Sequence, residues 1–416
     1  GNFKTDLTFE SNFEKENNNK WLSNGSLITR FNKNLDKNYR IQIDSALQTS
    51  KNFIQRTKPN DDLSYTNSLS TNINLEGFNL NAIDDYLSIN SNFYQTNQEN
   101  EDNKTIPIVL PKIKYFRGYS IKNGNKTYST FEFYNIFREK NTSVHAKNQQ
   151  KISHKFNINK EFIKYKSKIS LDAEVYNQFF NTEKKQYSKT IYNTGSYYRF
   201  FPILGLSAET PFKSKKYFNN ITFNPKIHIT VAPGISNSNK LSNEDSTNND
   251  FSLDNIYRLN RFAGTDKMDN SKRITLGINA YTQNFKSSLF QSYEFTHNSN
   301  FHDEQENYNN LSDLLGSFEY FNKNEILYNF RYDINEEYLK KQSINLKSNI
   351  LFGDFNFDYL DQNSKINNIV TKDIETINYS FLTKKFAKFS KLKLEGLYDL
   401  KKEINTEYLI GYSYFD

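Results

Sequence analysis

Apolar and polar residues alternate along this chain almost from end to end. Tyr39, Ile41, Ile43 and Leu47 are interleaved with Arg40, Gln42 and Asp44. Leu87, Ile89 and Phe93 alternate with Ser88, Asn90 and Asn92, and Ile169, Leu171, Ala173 and Val175 with Lys168, Ser170, Asp172 and Glu174. The same rhythm returns at Ile227–Ile229–Val231, Phe355–Phe357–Tyr359 and Leu392–Leu394. Successive side chains of a strand point to opposite faces, so each run predicts a ribbon with one apolar and one polar face. No comparable stretch shows the i, i+3, i+4, i+7 spacing of an amphipathic helix. The runs predict strands of about 9–14 residues, against the ~5–6 usual in soluble sheets. Asn-rich connectors separate them, such as Asn17–Lys20, Asn97–Lys104, Lys122–Lys126 and Ser236–Asp250; Asn tolerates turn conformations.

The pattern crosses the whole chain with no Pro/Gly/Ser-rich linker, which predicts one domain over residues 1–416. Hydrophobic residues make up 36% of the 416 and mean hydropathy is −0.82, which by itself would suggest disorder. Yet aromatics reach 16%, with 36 Phe and 29 Tyr, and disordered chains are poor in aromatics. A chain both polar and aromatic needs much wet surface and one dense apolar face. That disfavours a compact α/β enzyme. Two solutions remain open on pattern alone. One is a soluble all-β sandwich, solenoid or propeller. The other is a large antiparallel transmembrane β-barrel with lipid outside and a polar lumen. Strand length, low hydropathy and aromatics near segment ends (Tyr197–Phe201, Tyr412–Phe415) favour the barrel. At ~16 residues per strand and turn, on the order of 25 strands are expected. The longest apolar run, Phe200–Leu206, is too short for a spanning helix. The chain starts Gly-Asn-Phe with no basic-then-apolar leader, so it reads as lacking a signal peptide and as part of something longer.

Catalytic chemistry is hard to place. Cysteine is absent, excluding disulfides, thiolate zinc sites and a cysteine nucleophile. The five histidines are His145, His154, His228, His297 and His302; the last two are not at a ligand spacing. No phosphate-binding Gly-rich loop, His-Glu-x-x-His or Gly-x-Ser-x-Gly motif occurs. No cofactor and no enzymatic activity are therefore expected. Glu244, Asp245, Asp250 and Asp254 form an acidic loop cluster that reads either as a solvated loop or as oxygen ligands for a divalent cation. The net charge of +7 comes from Lys spread among acids, with no basic stripe, so nucleic acid is not an expected partner.

One stretch breaks the monotony: Ser242–Ser246, then Phe251–Tyr257, then Leu259-Asn260-Arg261-Phe262-Ala263-Gly264-Thr265-Asp266-Lys267, closing with Arg273-Ile274-Thr275-Leu276-Gly277-Ile278. This resembles the signature of the LptD family of LPS-assembly proteins, also called organic-solvent-tolerance proteins. Lys267 stands where the family usually has Arg, and Ala263 where Ser or Pro is common. Weaker landmarks follow in the family's order: Leu110-Pro111-Lys112-Ile113, Arg199–Leu206 with Pro211-Phe212, Asn224-Pro225 with Ala232-Pro233, Gln291-Ser292-Tyr293 and Leu311-Ser312-Asp313.

The resemblance implies an outer-membrane barrel of roughly 24–26 strands in the full family, of which this chain would lack some terminal ones. It implies a translocon that inserts lipopolysaccharide into the outer leaflet without chemistry of its own. It further implies an LptE-type plug lipoprotein as partner, and an LptA-type periplasmic bridge reached through an N-terminal jellyroll that is expected to be absent from residues 1–416. The family's lateral gate lies between first and last strands, and no gate residues are assigned. An unrelated porin-like or enzyme barrel is the alternative. Within the signature, Asn260, Arg261, Phe262, Gly264, Asp266 and Lys267 read as a tight turn before a strand. Gly264 would supply a positive φ, Asn260 and Asp266 would close turns, and Arg261 would pair with Asp266. Such a loop shapes the lumen or seats the plug; direct contact of Arg261 or Lys267 with a lipid phosphate is the other possibility. Pro225 and Pro233 are expected to flank a strand, and Pro107 and Pro111 to weaken strand pairing locally.

Overall fold

A computed structural model describes residues 3–15, 21–58, 63, 66–82, 84–97, 100–121, 125–186, 188, 190–214, 220–246, 251–296, 310–366, 369–384 and 390–414. His297, His302, Asp250, Pro59 and Phe415 lie outside them, as do parts of the Asn-rich connectors. The alternating runs form one antiparallel sheet. Its strands are β1 (Phe3–Lys15), β2 (Trp21–Asn34), β3 (Tyr39–Gln48), β4 (Ser68–Phe78), β5 (Tyr86–Thr96), β6 (Ile108–Ile121) and β7 (Asn125–Phe137). There follow β8 (Asn148–Lys164), β9 (Ser167–Gln186), β10 (Tyr192–Glu209), β11 (Phe212–Lys213), β12 (Thr222–Val231), β13 (Lys272–Tyr281) and β14 (Phe285–Glu294). The series closes with β15 (Leu314–Phe321), β16 (Asn324–Asp333), β17 (Tyr338–Ile350), β18 (Gly353–Ile366), β19 (Ile369–Thr383), β20 (Ser390–Asp399) and β21 (Ile404–Tyr414). The helical elements named among the described residues include one short helix, α1 (Phe53–Thr57), and a 3-10 turn at Asn103–Thr105.

Each strand pairs with its sequence neighbour, except that β10 pairs with β12 around the two-residue β11. Among the described residues no ladder joins β1 to β21. Among the described residues the strands number 21, against the ~25 expected. The difference has two sources: β8, β9 and β10 run to 17, 20 and 18 residues, and residues 232–271 make one long connection.

Connections differ at the two ends of the sheet. One end carries short turns such as 165–166, 282–284, 322–323 and 351–352. The other carries the connections 49–67, 138–147, 232–271 and 295–313. Tyr165 and Lys166 both have positive φ (51° and 65°), as a two-residue hairpin whose twist matches its strands requires. At Pro111 the ladders on both sides of β6 shift register, between Val109 and Lys112 towards β7 and between Asn90 and Asn92 towards β5. The missing N–H of proline thus loosens pairing where the sequence suggests it. Pro225 differs from expectation: it lies within β12, paired with Ile278, while Pro233 follows the strand.

The faces of the sheet are inverted relative to a soluble protein. Ladder partners share a face, so a row can be followed from strand to strand. Leu171, Leu206, Ile229, Ile274 and Tyr293 form one such row across β9, β10, β12, β13 and β14. One residue away, Ser170, Ser207, His228, Thr275 and Ser292 form the row on the opposite face. Leu171 and Leu206 are exposed, whereas Ser170, His228, Thr275 and Ser292 are buried. In β8, Ile152 is 45% exposed between Lys151 at 0% and Ser153 at 4%. Large apolar side chains therefore face outward and polar ones inward, the arrangement of a lipid-solvated sheet around an enclosed polar space.

The run Phe200–Leu206 is apolar on both faces. Phe200, Leu204 and Leu206 are exposed outward, while Phe201 and Ile203 are buried inward. Those two pack with Tyr176, Ala232, Leu259 and Met268. The inner partners Ala232, Leu259 and Met268 come from the 232–271 connection, which folds against the inner wall. A continuous apolar run signals cover on both sides. The enclosed space is thus not wholly wet, as the alternation alone suggests; a dry seam lies under this loop.

Candidate functional site

The signature as far as Lys267 lies in the inward loop 232–271, and its closing Arg273–Ile278 lies in β13. Glycines in the wall make room for the loop. A Cβ at Gly205 would lie 2.5 Å from Leu259 Cδ2, and one at Gly277 would collide with Phe290 and the Tyr257 hydroxyl. Phe251 and Ile256 of the loop pack on Phe290 and Leu315 of the wall, with Leu253 and Tyr257 alongside.

Three polar networks then fix the loop. The first holds its entry. Arg138, just after β7, donates to both Glu244 carboxylate oxygens, at 2.9 and 2.6 Å. Gln149 of β8 donates to the Ser242 carbonyl at 2.8 Å and accepts from Ser242 N at 3.0 Å.

The second centres on Lys151 of β8. Its fully buried ammonium donates to Asp245 Oδ2 (2.7 Å), Thr265 Oγ1 (2.6 Å) and Asp266 Oδ1 (2.7 Å). The Tyr134 hydroxyl donates to Asp266 at 2.9 Å. Asp266 also accepts from the backbone N–H of Glu244, and Asp245 from those of Thr265 and Asp266, so two stretches of loop some twenty residues apart are clasped together. Arg199 of β10 donates to the carbonyls of Thr265 (2.7 Å) and Asp266 (2.9 Å).

The third surrounds Arg261. It donates to Asp269 Oδ2 and to Glu294 Oε1, both at 2.5 Å, and Arg273 of β13 donates to the same Asp269 at 3.0 Å. All four side chains are buried. Two cations face two anions, as a buried cluster requires, because an unmatched charge there costs several kcal/mol.

Electrostatics follow from this layout. Burial alone would raise the Asp269 carboxyl, but the Arg261 and Arg273 guanidiniums overcome it and hold it down to about 2. Burial likewise opposes ionisation of Asp245, and the Lys151 ammonium prevails, again lowering it to about 2. Asp266 shares that single ammonium with Asp245; burial raises its carboxyl, and the Asp245 charge adds to the rise against the pull of Lys151.

The expected site residues do come together in one loop, but several roles change. Arg261 does not pair with Asp266: it meets Asp269 and Glu294, while Asp266 meets Lys151 and Tyr134. At 1% exposure Arg261 is also closed off from any lipid phosphate. Gly264 is not a positive-φ turn; Gly234 is the glycine that has one among the described residues. Gly264 is needed for close approach, since a Cβ there would collide with the Asp245 carbonyl. Asn260 accepts from Asp269 N at 3.0 Å and donates to the Gly264 carbonyl at 3.1 Å. Phe262 is buried, and the Lys267 ammonium lies 5.9 Å from its ring centroid. The acidic cluster does not converge: Glu244 faces Arg138, Asp245 faces Lys151, Asp254 lines a separate cavity with Leu315 and Arg331, and Asp250 lies outside the described residues. Arg138, Lys151, Arg199, Asp269 and Glu294 belong to no motif that marks them as partners of the loop. Arg199, at an inward position amid Tyr197–Phe201, was the most legible of them.

The family described as LptD, LPS transport system D, matches residues 24–398. The chain belongs to the LptD family. No curated protein matches the chain. Among solved structures, it is similar to the siderophore receptor PirA from Acinetobacter baumannii, with a TM-score of 0.43 and 12% identity over 99% of this chain and 80% of that one. It is also similar to BauA, the ferric preacinetobactin receptor of the same organism, with a TM-score of 0.36 and 9% identity over 99% of this chain and 79% of that one. CdiB from A. baumannii matches with a TM-score of 0.33 and 11% identity, over 99% of this chain and 65% of CdiB. The LptD assignment thus rests on the family match and on the antiparallel sheet with its outward apolar face.

Proposed function

We propose that this LptD chain is the wall of an outer-membrane translocon that delivers lipopolysaccharide into the outer leaflet. The observation that carries this reading is the paired rows Leu171–Tyr293 and Ser170–Ser292: hydrocarbon solvates one face, and a polar passage admits a sugar-rich molecule along the other. The long connections belong to the outer surface and the short turns to the periplasm, as in other outer-membrane barrels. Lipopolysaccharide would arrive by an LptA-type periplasmic bridge through the family's jellyroll, and an LptE-type lipoprotein would occupy lumen that loop 232–271 leaves open. Asn260, Arg261, Phe262, Gly264, Asp266 and Lys267 then serve as structural parts of an internal loop that shapes the lumen. The barrel carries out no chemistry, and the driving energy comes from the machinery beneath it. Depleting the full-length protein and labelling surface lipopolysaccharide tests this reading: display should fall as the protein disappears, and undiminished display rejects the proposal.

A further inference from the structure

The outward, apolar face of the sheet carries a groove across β8, β9, β10 and β12. Ala173 of β9 is a small residue there, set opposite Ile158 of β8 and Leu204 of β10. Leu171, Leu206, Ile229 and Val231 complete the rim, and the groove they enclose measures roughly 410 Å³. All of these rim residues except Ile229 are exposed. Gly205 also lines the groove, and Leu259 of the inward loop abuts the same glycine from the other side. The wall is therefore thin here, with its dry seam directly behind. A depression between branched side chains leaves their atoms short of dispersion contacts until an apolar body fills it. In a bilayer that body is an acyl chain.

One end of the groove is cationic. Lys160 lines it and shares the outward face with Ile158, Phe162 and, across the ladder, Leu171. A lysine among such neighbours stands within the apolar belt, where a charge without a counter-ion is costly. Lys164 lies on the same face, one turn-ward step beyond Phe162, with its ammonium 5.3 Å from the Tyr165 ring centroid. Across β9 the two lysines and Phe162 face Leu171, Ile169 and Ser167, none of them a carboxylate. Glu161 pairs instead with Lys168, at 2.9 Å, and belongs to the opposite row. Lys160 is five residues from the short turn at Tyr165, about 12 Å of height at ~3.3 Å per residue and a ~40° tilt. A lysine stem of that reach can snorkel to the phosphate layer on the turn side. We infer that this groove binds one anionic phospholipid of the periplasmic leaflet, an acyl chain lying over Ala173 and the phosphate held by Lys160 and Lys164. The inference rests on the outer-membrane reading, which puts lipid on this face and the short turns in the periplasm. It makes one lipid a fixed part of the wall, opposite the point where the inward loop leans on Gly205.

The test uses the full-length protein, delipidated in lauryldimethylamine oxide micelles, with native mass spectrometry counting bound lipids. Dioleoyl phosphatidylglycerol, dioleoyl phosphatidylcholine and lipid A are titrated separately. One saturable phosphatidylglycerol is expected, bound more tightly than phosphatidylcholine, whose choline the lysines repel. Lys160→Gln should lower phosphatidylglycerol affinity about ten-fold, the loss of one charge-assisted hydrogen bond, and leave phosphatidylcholine unchanged. Ala173→Leu fills the groove without touching the cations and should also lower it. Heat-modifiable mobility verifies that both variants are folded, as lipid-facing changes of this kind should leave them. Equal affinity of the parent for the two phospholipids, parental phosphatidylglycerol affinity in either variant, or binding of lipid A in place of phosphatidylglycerol each overturns the inference. Surface lipopolysaccharide display after depletion separates the two readings. Display that falls, with no phosphatidylglycerol selectivity, removes the lipid site and leaves the translocon; selective binding with undiminished display does the reverse.

Discussion

Lys151 makes three of the side-chain bonds that hold the loop, to Asp245, Thr265 and Asp266. Its ammonium faces the half-buried Asp245 and the buried Asp266, so Lys151→Met leaves the two as adjacent charges without that counter-ion. Removing one partner of a buried pair costs about 3–5 kcal/mol. The expected outcome is loss of amide protection across residues 240–270 in hydrogen exchange, with the wall strands unaffected. Gly264→Ala should free the same segment by pushing Asp245 aside, since the added Cβ has no room beside its carbonyl. Acid acts on the loop too. Asp245 and Asp269 are held down to about 2, below their ordinary 3.8. A folded value below the unfolded one means that the stabilisation is complete above that ordinary value and drains away as the pH falls towards 2. Asp266, whose carboxyl is raised, works the other way, because its protonation favours the folded loop. With two lowered groups against one raised, loop protection should drop between pH 4 and 2. Asp269→Asn should show reduced protection already at pH 7 and a shallower acid dependence.

At the scale of the strand, the two faces predict opposite tolerances. Leu289 of β14 is exposed on the outward face, paired with Ile278 and Gly316. Ser317 of β15 faces inward, paired with Ser288 and Asn329. Leu289→Arg should cost up to about 2–4 kcal/mol in a bilayer, depending on depth, whereas Ser317→Arg should cost little. Heat-modifiable electrophoretic mobility after refolding into lipid vesicles reads this as a lower folded fraction for Leu289→Arg alone. Equal tolerance at both positions would contradict the assignment of faces. The β10 strand is the exception that the sequence marks: its run Phe200–Leu206 is covered by lipid on one side and by Leu259 and Met268 on the other.

For the whole molecule, loop 232–271 converts an open enclosure into a partly filled one. Its dry seam and three ion networks make it a part of the wall as much as a connection. Replacing residues 235–269 with a short Gly/Ser turn should leave the sheet intact, because the ladder between β12 and β13 runs from Thr222–Tyr281 to Val231–Lys272 without it. The same change should raise single-channel conductance in planar bilayers and open the space from which Tyr134, Lys151 and Arg199 now bind the loop. An unchanged conductance would mean that the loop does not narrow the passage.

The sequence by itself determined the strand character of the chain, the faces of its alternating runs and the family, because alternation is a local property of successive side chains and the signature residues are close in sequence. It also located the loop that matters. Which residues meet inside that loop was decided by tertiary structure alone. Asp266 finds Lys151 from 115 positions away and Arg138 finds Glu244 across 106, distances over which spacing carries no information. Hence the plausible neighbours Arg261 and Asp266 part company, and Gly264 proves necessary for what lies beside it rather than for its own backbone. The physical reason is that a turn is set by adjacent dihedrals, whereas a buried charge takes whichever opposite charge the packed wall brings within reach.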